Sequence, residues 1–275
     1  MQVLSFVWDP SPGIDLGFFM IRYYSLMFVI AFTIGWFLTK NIFKNEGLSD
    51  DKMDSLFIYV VLATLIGARL GHVFFYQPEL LKNDFFSVFL PFSFKNGFEF
   101  TGFRGLASHG AAIGIIVAMY FYSKKVLKKP ILWILDRIVI AVASGAIFVR
   151  IGNFINSEII GKATNSDFGV VFKQLGEDFP RHPAQLYESF CYIFVFATLY
   201  YLYWKTSKSK QMGYLLGMFL VLLWTVRFFV EFVKEAQVDE RAEWALNTGQ
   251  WLSIPFIVIG VYLMISSPKR PVPNE

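Results

Sequence analysis

Residues 139–161 read Val139-Ile-Ala-Val-Ala-Ser-Gly-Ala-Ile-Phe-Val-Arg150-Ile-Gly-Asn153-Phe-Ile-Asn156-Ser-Glu158-Ile-Ile-Gly161. A long apolar run ends here in an arginine, two carboxamides and a glutamate. Such groups are costly to bring near lipid, so a cluster of them at the edge of an apolar span marks a candidate functional site. The guanidinium of Arg150 offers a planar fork matched to phosphate oxygens, and Asn153 and Asn156 can hold glycerol hydroxyls beside Glu158. The bland alternative is a helix end whose arginine reaches for the interface and whose asparagines cap the chain. That alternative suffices for a lone arginine; the whole cluster reads as a site for a phospholipid headgroup.

The rest of the chain surrounds this stretch with similar apolar runs. Hydrophobic residues make up 55% of the 275, and Phe alone supplies 32, far too much apolar sequence in bilayer-length runs for a soluble chain. The expected class is an all-α polytopic membrane protein forming one integral membrane domain, 1–275. Seven spans are expected at about 18–38, 56–76, 106–122, 131–148, 186–204, 214–233 and 251–265, each near the length that crosses the hydrocarbon core. Residues 77–104 are too polar to span yet rich in Phe, and read as an arm lying in the interface. Residues 162–183 read as a small cap, with a short strand expected over Asp167–Phe172.

Lysines fill the loops after spans one, three and five and the tail after seven. That asymmetry places the N-terminus outside and the C-terminus inside. It also explains the net charge of +4 without any nucleic-acid partner. On this orientation Arg22, Tyr24, Arg69, His109, Arg150, Glu188, Arg227 and Glu231 all fall in the outer half of the bilayer, and the inner half carries almost no such groups. The site is expected to face outward. No secretory signal peptide is read at the N-terminus.

Among the other candidates, His109 lies in a run of small residues, Gly105 to Gly114, that lets another helix or a lipid chain come close. It is either a base for a thiol or hydroxyl nucleophile or a residue that ties helices together. Arg227 and Glu231, spaced i, i+4, can pair on one helical face, either as structure or to hold and orient a departing phosphate. Arg181 to Glu188 leads into span five: Pro183 suits a helix start and structural capping explains most of the stretch, with Gln185 and Glu188 as supporting partners in the functional reading. Tyr24 fits interfacial anchoring equally well. His72 reads as a core residue. Cys191 is the only cysteine and the histidines are scattered, so neither a metal site nor a cofactor is expected. An anion transporter would need charged groups through both halves of the membrane, and a non-catalytic lipid-binding protein would tolerate loss of His109.

Taken in order, several motifs resemble the prolipoprotein diacylglyceryl transferase family. They are Ile21-Arg22-Tyr23-Tyr24, Ser108-His109-Gly110, Arg150 to Gly161, His182-Pro-Ala-Gln-Leu-Tyr-Glu188, Arg227-Phe-Phe-Val-Glu231-Phe232 and Gly249-Gln-Trp-Leu-Ser-Ile-Pro255. The resemblance implies transfer of the diacylglyceryl group of phosphatidylglycerol to the lipobox cysteine of a prolipoprotein signal peptide, with glycerol phosphate released. It also implies seven spans in the bacterial cytoplasmic (inner) membrane and a site open to the outer leaflet. By motif match, His109, Arg150 and Arg227 are the expected catalytic residues. Asn153, Asn156, Glu158, Gly161, Tyr24 and Glu231, with Arg150, are the expected substrate-binding positions. Three places depart from the family pattern: Leu223 stands where a tyrosine is common, Ser157 where many relatives carry glycine, and Ala111 and Ala112 where glycines are typical.

Overall fold

The computed structural model describes residues 5–17, 20–89, 92–93, 98–100, 105, 107–235 and 246–271. The expected starts of the first and third spans, Phe18 and Leu106, lie outside these. So do residues 90–91, 94–97 and 101–104 of the arm and the link 236–245.

Short strands β1 (Ser5–Trp8), β2 (Gly13–Asp15) and β3 (Met20–Arg22) precede helix α1 (Tyr23–Asn45). Then come α2 (Asp50–Tyr76), α3 (Leu80–Asn83), α4 (Phe85–Phe89), β4 (Phe92–Ser93), β5 (Glu99–Phe100), α5 (Ser108–Tyr122) and α6 (Ile131–Ile155). The chain ends with β6 (Gly169–Phe172), α7 (Ala184–Lys205), α8 (Tyr214–Val230) and α9 (Thr248–Ser266). Helices α1, α2 and α5–α9 overlap the seven expected spans, but α1 begins only at Tyr23, after strand β3, and α8 ends at Val230. Among the described residues five are long and apolar enough to cross a membrane: α1, α2, α6, α5 with its π-helical continuation to Leu127, and α9 with its last turn to Lys269. Helix α8 is apolar but shorter, and α7 is interrupted by Gln185, Glu188 and its tyrosines.

The chain forms two compact units, Lys40–Ile134 and the remainder, Met1–Thr39 with Leu135–Glu275. In the first, α2 and α5 cross glycine to glycine. A Cβ on Gly110 would sit 2.3 Å from the carbonyl oxygen of Gly67, so the backbones touch where any side chain would force them apart. The small residues around His109 therefore serve helix packing. Arg69 is bound within this unit. Its guanidinium is buried and donates to the carbonyls of Ser87 (2.7 Å), Val88 (3.2 Å) and Gly105 (3.4 Å), which ties α4 to α2. His72 stacks on Tyr76, its ring against Gly105, as a packed residue.

In the second unit, α6 runs past Phe148 to Ile155, so Arg150 and Asn153 lie on helix rather than after it. Gly152 does not break this turn because its bare Cα receives the ring of Tyr24 from α1. Helices α8 and α9 meet at Gly217 and Gly260, where a Cβ on either would be within 2.7 Å of the other's carbonyl oxygen. The opposite end of α6 overturns one expectation. Asp136 and Arg137, each 1% exposed, form a buried polar group far from Arg150. The Asp136 carboxylate accepts the Gly213 and Leu216 amides (2.6 and 2.8 Å), which caps the start of α8. The partners of the Asp136 carboxylate come from a distant part of the chain, so its role was invisible until the helices packed.

Residues 162–183, the expected cap, carry strand β6, which pairs in parallel with β1. Trp8 anchors it to the end of α6: the indole N–H donates to the Phe154 carbonyl (3.1 Å) and the rings lie 4.5 Å apart. Phe154, Val170 and Phe172 form its core with Trp8, Ile160 and Leu186. Arg181 closes the cap with two bonds to Glu177 (2.5 and 2.6 Å) and one each to Glu235 and the Gly161 carbonyl (3.1 Å). Hydrogen bonding to Glu177 raises the Arg181 pKa above the ordinary arginine value, so its charge is permanent.

Candidate functional site

The site grows from the last turn of α6. Arg150 Nε pairs with Glu188 of α7 at 2.5 Å, with the two side chains 11% and 1% exposed. Arg150 Nη1 donates to Asn153 Oδ1 at 3.0 Å, and Asn153 Nδ2 donates to Glu158 Oε1 at 2.5 Å. Arg150 and Asn153 are three residues apart and share a helical face, which makes the first of these bonds local. Glu158 comes after the helix and has to be folded back.

The fold-back is a helix-ending motif. The Ser157 amide donates to the Phe154 carbonyl and the Glu158 amide to the Asn153 carbonyl, both at 3.0 Å. This is the pair of bonds that closes a helix through a left-handed residue, a place that favours glycine. Ser157 holds it at φ 53°, and Ile159 repeats the left-handed conformation at φ 58°. The Ser157 hydroxyl is buried without a hydrogen-bond partner among the described residues. Gln185 then clamps the turn by donating to the Glu158 carbonyl at 2.7 Å. Tyr24 lies beside this cluster, close enough to feel the charges of Glu158 and Arg150.

Gly161 ends the signature as a crossing point. A Cβ there would lie 2.4 Å from the His182 carbonyl oxygen and 2.9 Å from that of Val233. Its bare Cα lets the chain after α8 lie alongside residues 160–162: the Lys162 amide donates to Val233 (2.8 Å) and the Glu235 amide to Ile160 (3.2 Å). Gly161 thus faces Lys234. Its contribution is to packing, and no geometry assigns it a contact with substrate.

Lys234 is only 3% exposed, and its ammonium lies 3.1 Å from Glu231 and 3.8 Å from Glu188. The expected Arg227–Glu231 pair is therefore absent among the described residues. Lys234, three residues on and turned inward by the Gly161 contact, takes Glu231 instead. Asn247 starts α9 with a capping box shared with Gln250 and donates to the Glu231 carbonyl (3.1 Å). Gly249 leaves the room that the Glu231 carboxylate occupies, since a Cβ would fall 2.4 Å from its carboxyl carbon.

Arg227 stands apart from these ion pairs. Its guanidinium lies 5.1 Å from the centre of the Trp224 ring, which itself stacks on Phe256 of α9 at 4.2 Å. The Nε atom is buried with no hydrogen-bond partner among the described residues. Its charge reaches Tyr192, which also feels the charges of Glu188 and Arg150. A buried, unpaired guanidinium donor is costly, and an anionic ligand is the natural way to satisfy it.

Tyr24, Arg150, Asn153, Glu158, Gly161, Arg227 and Glu231 thus belong to one compact unit. Asn156 lies beside them, half-buried, with no side-chain hydrogen bond among the described residues. Arg22 is exposed on β3 and takes no part. His109 belongs to the other unit, at the start of α5, exposed and edge-on to Phe75 at 5.0 Å. Sequence reading missed Lys234, Tyr192 and Asn247, and gave Glu188 only a supporting place. Two of these carried a signal: Tyr192 shares a helical face with Glu188 four residues earlier, and Lys234 lies one turn from Glu231.

Residues 13–266 match the profile of a family described as prolipoprotein diacylglyceryl transferase. The chain is similar to the phosphatidylglycerol–prolipoprotein diacylglyceryl transferase of Bacteroides fragilis, 41% identical over 98% of this chain and 97% of the relative. The protein of the same name from Chloroherpeton thalassium is 40% identical over 98% and 97%, and that from Chlorobaculum tepidum 34% over 91% and 87%. With that match over nearly its whole length, this chain belongs to the prolipoprotein diacylglyceryl transferase family.

Proposed function

We propose that this membrane protein carries out the transfer for which its relatives are named, from phosphatidylglycerol to the lipobox cysteine of a prolipoprotein signal peptide. The observation that carries the reading is Arg227, a guanidinium with a buried, unpartnered donor beside a rigid network around Arg150. Arg227 takes the phosphate oxygens. Arg150, with Nε and Nη1 already engaged, presents its remaining edge in a fixed position. Asn153 and Tyr24 line the headgroup, and Asn156 supplies a free carboxamide for a glycerol hydroxyl.

The reaction is a displacement at the glyceryl carbon. The cysteine sulfur forms a bond to that carbon, the carbon–oxygen bond to phosphate breaks, and glycerol phosphate leaves with the electron pair. Arginines aimed at the departing phosphate stabilise the charge that develops there. The thiol must lose its proton, since free cysteine has a pKa of about 8.5. The exposed imidazole of His109 is the candidate base. Helices α1, α2 and α5–α9 all span, the shorter α8 included, with the N-terminus outside, the C-terminus inside and the site open to the outer leaflet of the bacterial inner membrane. The lysine pattern of the loops supports this orientation.

The test is transfer itself. Purified protein in phosphatidylglycerol vesicles is given a synthetic lipobox peptide, and mass spectrometry follows the peptide. One added diacylglyceryl group is expected, absent with Arg150→Ala and strongly reduced with His109→Gln. A folded wild type that yields no adduct returns the chain to a non-catalytic lipid-binding role, and full activity of His109→Gln removes the histidine from proton transfer.

A further inference from the structure

Glu231 and Arg227 are spaced to pair, yet among the described residues they do not, and Glu231 pairs with Lys234 instead. Resting on the phosphate-binding reading of Arg227, we propose that Lys234 is a positioning residue that keeps the Arg227 guanidinium available to the lipid phosphate by holding the Glu231 carboxylate. Three observations carry this. The Lys234 ammonium is 3.1 Å from Glu231 and 3.8 Å from Glu188, inside a nearly closed environment. Glu231 is the carboxylate one helical turn from Arg227, and Arg227 has no acidic partner among the described residues. The lysine is aimed by backbone, because residues 233–235 lie along residues 160–162 and Lys234 faces Gly161.

Without the ammonium, the buried Glu231 carboxylate would lack a counter-ion, and the nearest uncommitted cation on its own helix is Arg227. An i, i+4 ion pair would then form and compete directly with phosphate for the same guanidinium. Gly161 gains a defined task in this arrangement. A larger residue there would push away the segment that aims Lys234, and so act on the phosphate site at one remove.

The experiment compares wild type, Lys234→Met, Glu231→Gln and the double variant, each shown to be folded by its thermal transition in detergent. The readouts are KM and kcat for phosphatidylglycerol in the lipobox-peptide assay, and binding of short-chain phosphatidylglycerol without peptide. For Lys234→Met the expectation is a rise of about ten-fold in KM and a parallel loss of lipid binding, with kcat much less affected. The double variant should recover most of that loss and match Glu231→Gln, because the carboxylate that would capture Arg227 has lost its charge. A merely structural lysine lowers the thermal transition of Lys234→Met while KM and lipid binding of the folded variant stay at the wild-type values, and that result overturns the proposal. A kcat defect with KM unchanged, or a double variant as impaired as Lys234→Met, overturns the proposal. Should Lys234→Met alone fail to fold, the double variant decides: lipid binding far weaker than that of Glu231→Gln overturns it. A wild type that binds the lipid but transfers nothing overturns the transferase reading instead, and the binding comparison still judges Lys234.

Discussion

Glu188 is the residue on which the Arg150 network turns. It is 1% exposed, pairs with Arg150 at 2.5 Å and lies 3.8 Å from Lys234, so one carboxylate is shared by two buried cations. Removing one partner of a buried ion pair strands the other, which is far more damaging than replacing the pair. Glu188→Gln is therefore expected to lower stability by about 3 kcal/mol and to abolish transfer. A thermal transition unchanged from wild type would show that solvent, rather than Glu188, balances Arg150. Asn153 differs in kind: it is a neutral relay that accepts from Arg150 and donates to Glu158, so its carboxamide orients both neighbours without adding charge. The sequence marked Arg150, Asn153 and Glu158 by residue type alone. It hid Glu188's importance, because an acid at the start of an apolar helix also reads as a cap.

At the scale of elements, the end of α6 and the start of α9 are built around the site. The α6 terminus uses Ser157 in a left-handed conformation, and the hydroxyl it buries there finds no partner. Ser157→Gly relieves both costs, so thermal unfolding should show a gain of about 1 kcal/mol with transfer retained. A loss of stability would mean that the hydroxyl is satisfied in the membrane by water or lipid. The α9 motif has a similar logic. Gly249 makes space for Glu231, and Asn247 with Gln250 caps the helix while gripping the end of α8. Motifs scattered over the chain are thus joined by close contacts: Gly152 to Tyr24, Gly161 to Val233 and Gly249 to Glu231. Their glycines were legible as landmarks in the sequence. What each glycine makes room for was not, since a missing side chain does not say what approaches it.

For the whole molecule, the proposed orientation is open to a direct check. In a Cys191→Ala background, single cysteines at Ser166, exposed in the cap, and at Ser207, exposed after α7, are treated with a membrane-impermeant thiol reagent on intact cells. Ser166→Cys should react and Ser207→Cys should react only after lysis; the reverse pattern would place the site on the cytoplasmic face. The sequence by itself determined the class of the molecule and the helices, because a span is a local matter of about 20 apolar residues whose backbone bonds close within the segment. It also marked the cluster at Arg150, because polar groups at a span end stand out against their neighbours. Only the tertiary structure decided the pairing of the charges. Glu231 chooses Lys234 over Arg227, Glu188 chooses Arg150, and Asp136 caps α8 across a long stretch of chain. Sequence spacing offers several partners to each charge, and packing leaves room for one.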